Sequence, residues 1–280
     1  MKQKTHMVPC RKLPIVFCLI FTFTTATHSY ANEAKCNLNT GDKVVFQEVA
    51  VLFDELSLFP VEKGEFETTG QFEKRKKLAS SKVDLEEVHF LEGTYDINQV
   101  TYDADNEEFV LTKYAWSNIG VDWDAVFPEN SIIGRLSILG FGLRREQSQS
   151  RTYQASNALG VSVTVAVIER LTYAVFDRRG TKGKIPWKYD LLVPVKNHNA
   201  PAIRLPSPPD QARNLKNSMR VGVAVRLKPP FVARGSTHYD PSIELRIELF
   251  ATTNVIFADI LCAIITNDNG TVLKIVETAY

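Results

Sequence analysis

The chain has 280 residues, 44% of them hydrophobic and 23% charged, with 33 Lys/Arg against 32 Asp/Glu. That composition supplies a sizeable core and excludes a disordered acidic or basic tail as the bulk of the protein. Near-neutral charge gives no broad attraction to nucleic acid, which is not expected as a partner.

Lys2, Lys4, Arg11 and Lys12 precede the apolar run Leu13–Phe23, and Ser29-Tyr30-Ala31 puts small residues at −3 and −1 of a cut after Ala31. This order predicts a secretory signal peptide over residues 1–31 and a periplasmic or secreted mature chain. An uncleaved anchor is the alternative, but the apolar run is short for a bilayer span. Cleavage leaves 29 basic and 32 acidic side chains, a formal charge of −3. Cys36 and Cys262 remain, and in an oxidising compartment such a pair predicts a disulfide, with two separate thiols as the alternative. The other long apolar run, Ile256–Ile265, is interrupted by Asp259 and reads as a buried strand. No transmembrane segment is therefore expected in the mature chain.

Within Val44–Leu58, residues Val45, Val49, Leu52 and Leu56 fall at helical spacing, though a strand entering a short helix also fits. Lys63-Gly64 breaks this stretch. A clearer helix is expected from about Phe66 to Ser81, capped by Thr68 or Thr69. Its run KRKK reads as a solvated helix face, with a binding patch for phosphate or lipid A as the alternative. Strands are expected over Tyr95–Tyr102 and Glu107–Tyr114, joined by the Asp103–Asn106 turn. That turn lacks the ligand spacing of a calcium loop. Tyr114–Phe127 is irregular and carries Trp116, Asp122, Trp123 and Asp124.

A strand is expected over 131–142, then a polar surface loop over Arg144–Arg151. Alternating valines mark Val161–Val167 as a strand, with a bulge or bend at Glu169-Arg170 before Leu171–Phe176. Asp177–Lys184 is a basic loop whose glycines do not match a nucleotide-binding spacing. Trp187–Val195 is another expected strand. Residues 196–210 hold four prolines and form the best internal boundary. The expected division is 32–195, a proline-rich linker 196–210, and a β-rich 211–280, leaving open whether the two regions share one core. After the linker come a short helix over Asp210–Asn217 capped by Ser207, then four or five strands. These are Arg220–Leu227, an edge strand near Phe231–Arg234, Ile243–Ala251, Val255–Ile265 and Thr271–Val276. A hairpin turn is expected at Asn267–Gly270. The fold class is α+β, mainly antiparallel sheet, with two or three short helices.

Phe66–Arg75 (FETTGQFEKR) resembles an FETxxxFxxR segment of uncharacterised exported Gram-negative proteins. Tyr102–Asp105 and Asn157–Val161 are similar to later segments of such proteins. The resemblance covers patches of residues 60–170. It implies a periplasmic helix-plus-sheet protein and brings no active site with it.

No metal or cofactor pattern is found, and no cofactor is expected. The leading functional expectation is a non-catalytic protein that binds another envelope macromolecule, protein or glycan, in an accessory or assembly role. Its expected contacts are Tyr114, Trp116 and Trp123 with the basic loop Arg178, Arg179, Lys182 and Lys184, because Trp, Tyr and Arg anchor interfaces. The alternative is a secreted hydrolase of envelope glycan or peptide using Asp122, Asp124 and His238.

Overall fold

The computed structural model describes residues 36–60, 62–112, 115, 139–156, 160–177 and 201–277. Their chain order is α1 (Val49–Ser57), α2 (Thr69–Ser80), β1 (Val88–Gly93), β2 (Val100–Asp103), β3 (Glu108–Thr112), β4 (Leu139–Ser156), β5 (Ser162–Asp177), β6 (Pro201–Pro206), α3 (Pro209–Ser218), β7 (Arg220–Tyr239), β8 (Ile247–Thr266) and β9 (Val272–Glu277). The fold is α+β and mostly antiparallel.

A six-stranded sheet has the order β1-β7-β8-β5-β4, and β9 pairs with the far part of β8. All its ladders are antiparallel except β5–β8, which residues 178–246 connect as the long crossover that parallel pairing requires. Strand β8 is the spine. Its first half lies between β7 and β5, and its second between β7 and β9. Burial from both faces explains the apolar run Ile256–Ile265, and the Asp259 that interrupts it is half-buried and paired with Lys228 at 3.2 Å. Between the last β5 contact and the first β9 contact, the Ile260 N–H is taken at 2.9 Å by the fully buried Asp177 carboxylate. A buried backbone donor needs such a partner.

Strands from both sides of the proline-rich stretch share this sheet, and residues 35–280 cluster as one unit. Part of that stretch is β6, which completes a three-stranded sheet of order β2-β3-β6. Phe109, Leu111, Ile203 and Leu205 of the small sheet belong to the same buried cluster as Val223, Ile256 and Phe257 of the large one.

Long strands replace several expected breaks. The polar run Arg144–Arg151 is not a loop but the middle of β4, at the edge of the sheet. Its charges and its two bulges, at Gly142/Arg144 and Gln149/Arg151, are devices that blunt an edge strand. Glu169-Arg170 makes neither bulge nor bend, because both residues are paired with β4 on one side and β8 on the other. The two strands expected over 220–234 are one. Lys228-Pro229-Pro230-Phe231 bulge out opposite Phe257, which accommodates prolines that cannot donate to a ladder. Conversely, Tyr95–Tyr102 is strand only from Val100. Asp96 accepts the Asn98 N–H at 3.0 Å and draws residues 97–99 into a tight turn. Ser207 is buried and does not cap α3, whose first residue is Pro209.

The N-terminal segment is laced across the sheet. Gly41 and Val44 donate backbone hydrogen bonds to Val272 and Gly270, and Gln47 donates to Phe90. Phe46 crosses β7 over Gly222, where a Cβ would meet the Leu91 carbonyl oxygen at 2.5 Å and collide with the Phe46 ring. The Cys36–Cys262 disulfide fixes this segment to β8 across 226 residues of sequence, with a Cα–Cα distance of 5.7 Å. The thiols are therefore one cross-link rather than two reactive groups.

Candidate functional site: the uncovered end of the large sheet

The register of β4, β5, β8 and β7 lines up side chains in rows on one face. Arg144, Tyr173, Asn254 and Arg234 make the first row. Helix α1 lies over it. Phe53 meets Tyr173 edge-on at 6.0 Å, the Arg234 guanidinium sits 5.4 Å from the Phe53 ring centre, and Glu48 pairs with Arg144. Val49, Leu52, Phe53 and Leu56 fall on the buried stripe of α1, which places the helix across the strands. Glu146, Leu171, Thr252 and Ser236 make the second row, beyond the helix. Ser148, Glu169, Phe250 and His238 make the third. A shallow recess of about 690 Å³ lies over this surface.

Both arginines near the helix are engaged locally. Arg144 also holds Glu146 at 2.6 Å, and Arg234 donates to Asn254 at 2.8 Å. In the third row, the His238 ring stacks on Phe250 with centroids 4.4 Å apart and planes 11° apart. Its Nε2 lies 3.0 Å from Glu248 Oε1, and its Nδ1 lies 3.8 Å from Asp240 Oδ1. An ionised carboxylate only accepts, so this geometry calls for a proton on Nε2, donated to Glu248. The Tyr153 hydroxyl also bonds Glu248, and burial, reinforced by that carboxylate, pushes the phenol pKa upward. Glu248 and the stacked Phe250 ring hold the imidazole in place, whereas Asp240, 3.8 Å from Nδ1, lies beyond hydrogen-bond reach.

Large apolar side chains crowd the same end. Val161, Tyr239, Ile243, Leu245, Ile247 and Phe250 are between 37% and 58% exposed. Five of these six fall within residues 239–250, the end of β7, its turn and the start of β8.

Of the catalytic and partner-contact residues expected from sequence, only His238 lies within the described part. Tyr114, Trp116, Asp122, Trp123, Asp124, Arg178, Arg179, Lys182 and Lys184 lie outside it. Sequence reasoning missed Glu248, Phe250 and Tyr153 as neighbours of His238. The available signal was the alternation of Ile243-Glu244-Leu245-Arg246-Ile247-Glu248, although only Ile247 and Glu248 belong to β8 and residues 243–246, expected as strand, lie in the turn before it. His89 has a different setting. It is buried, with Nδ1 2.8 Å from Gln47 Oε1 and Nε2 2.8 Å from the Asp84 carbonyl, and it ties the N-terminal segment to β1. Among the described residues no cluster of His, Cys, Asp and Glu is arranged to hold a metal ion, and no helix is long and apolar enough to cross a membrane. No protein-family model, curated protein or solved structure matches this chain.

Proposed function

We propose that this is an exported, non-catalytic protein that uses the uncovered sheet end to bind another envelope macromolecule, protein or glycan, in an accessory or assembly role. The observation that carries the reading is the concentration of exposed apolar side chains at residues 239–250, beside a shallow recess. Exposed large apolar side chains gathered at one end mark a contact site, with Phe250 on the recess face and Tyr239 and Ile247 on the opposite one by strand alternation. The signal-like start, the cut site at Ala31 and the Cys36–Cys262 cross-link support export to an oxidising compartment. The likeness of Phe66–Arg75 to exported Gram-negative proteins supports the same placement. Tyr114, Trp116, Trp123, Arg178, Arg179, Lys182 and Lys184 belong to the proposal as further contacts.

The test is crosslinking in intact periplasm, comparing the natural chain with an Ile243→Glu/Leu245→Glu variant. The reading expects specific partners to disappear in the variant while its melting temperature stays unchanged. The same partners at the same yield would refute the assignment of this surface. Intact mass of the recovered protein checks export. A product beginning at Asn32 is expected, and one beginning at Met1 would contradict cleavage.

A second reading, a secreted hydrolase of envelope glycan or peptide, draws on His238 held by Glu248, with Asp240 3.8 Å away. It requires that His238→Gln abolish turnover of peptidoglycan fragments in a folded protein. Turnover unchanged by that substitution would end the His238 assignment.

A further inference from the structure

Helix α2 stands apart from the rest of the fold because none of its twelve residues is buried. Short helices in water are marginal unless an apolar face is packed. This one is held at its start instead. Thr68 and Gln71 form a reciprocal capping box, and Arg75 reaches back to Glu67 at 2.6 Å and to the Glu62 carbonyl at 3.2 Å. The helix is thus prepared in shape while contributing little to the core.

Its two sides differ in kind. Phe72, Lys76 and Ala79 are the partly covered positions and mark the side toward the protein. The helical period puts Lys74, Lys77 and Leu78 on the opposite side, where Leu78 is 67% exposed. Phe66, in the turn before the helix, is 92% exposed. Arg75 and Lys76 are engaged by Glu67 and Glu73. Lys74, Lys77 and Lys82 have no ion pair among the described residues. Residues 69–82 carry five Lys/Arg against one Glu, in a chain that is otherwise slightly acidic once residues 1–31 are removed. Lys74 and Lys77 beside the exposed Leu78 complement a surface whose phosphates are anionic and whose interior is apolar.

We propose that α2 and its preceding turn dock this protein peripherally on an anionic phospholipid bilayer, with Lys74 and Lys77 at the headgroups and Leu78 and Phe66 at the acyl boundary. The lysines supply attraction that salt screens, and the two apolar side chains supply contact that salt does not. The inference is independent of the sheet end, and a variant there leaves it untouched.

The test is flotation of the full mature chain with vesicles of pure phosphatidylcholine or of phosphatidylcholine containing phosphatidylglycerol. The natural chain is expected to float with the anionic vesicles at low salt, and to partition far less onto neutral ones. Lys74→Glu/Lys77→Glu is expected to lower partitioning by about tenfold or more. Leu78→Ser is expected to weaken it and to make the residual binding more salt-sensitive. The altered positions are exposed, so an unchanged circular dichroism spectrum and melting temperature verify the fold. Failure to float with anionic vesicles, equal binding to neutral ones, or unchanged binding by the charge-reversed variant would each overturn the proposal. Inorganic phosphate is expected to compete no better than chloride at equal ionic strength. Specific displacement would instead assign the lysines to free phosphate and also overturn it.

Discussion

Removing the Cys36–Cys262 cross-link is expected to be the most damaging single change outside the core. The bond spans 226 residues of sequence, so it restricts nearly the whole mature chain when unfolded. Loop-closure entropy for that length corresponds to about 5 kcal/mol, and removal of native disulfides commonly costs about 2–5 kcal/mol. A domain of this kind has only about 5–15 kcal/mol in total. The better substitution is Cys36→Ser, because Cys262 is fully buried in β8 and its thiol serves there as a small apolar group. The backbone bonds of Gly41, Val44 and Gln47 remain available to hold the segment in the folded state, so the effect should lie mainly in the unfolded ensemble. Urea unfolding followed by Trp fluorescence measures it. With a slope of about 2–3 kcal/mol per molar, the midpoint should fall by about 1–2 M. Reducing the natural protein should reproduce that shift. Coincident midpoints for the natural chain, its reduced form and Cys36→Ser would refute the entropy argument.

Gly222→Ala places a methyl 2.5 Å from the Leu91 carbonyl oxygen, a backbone atom that cannot swing aside, so a loss of about 1–3 kcal/mol is expected in the same urea assay. An alanine variant as stable as the natural chain would mean that β1 and β7 are not so closely apposed. Burial pushes the Tyr95 phenol up to about 12, above its ordinary value near 10. The unfolded chain then ionises first as pH rises, so stability is full below about pH 10 and declines towards pH 12. The Tyr95 part of that decline is about 1 kcal/mol after allowance for partial exposure. Tyr95→Phe should remove it, and identical alkaline profiles for both proteins would contradict the burial argument.

Local chemistry in the sequence was a good guide where it acted alone. Of the two expected caps, Thr68 and Thr69, Thr68 caps α2, and Gly270 turns the β8–β9 hairpin with a φ of 75°. The apolar run Ile256–Ile265 lies in the most buried strand, and the two cysteines outside the signal-like segment are joined. What the sequence hid was register and strand length. Prolines at 229 and 230 look like the end of a strand, yet a bulge absorbs them and β7 continues to Tyr239. Arg144–Arg151 looks like a loop because an edge strand with polar surroundings has no need of alternation. The parallel ladder between β5 and β8 joins residues about eighty apart, such as Tyr173 and Asn254, and no local pattern announces it. His238 was visible as a residue, while its partners Glu248 and Phe250 became visible only once β7 and β8 were seen as one hairpin.

The claim that residues 239–250 form the contact surface is tested most directly by placing a photoreactive amino acid at Leu245, and separately at Asn214 on the exposed side of α3. Illumination of living cells followed by mass analysis reads which positions touch another envelope component. The account predicts a discrete crosslinked product from Leu245, lost when Ile243 is replaced by Glu, and none from Asn214. Equal products from both positions, or a product only from Asn214, would contradict it.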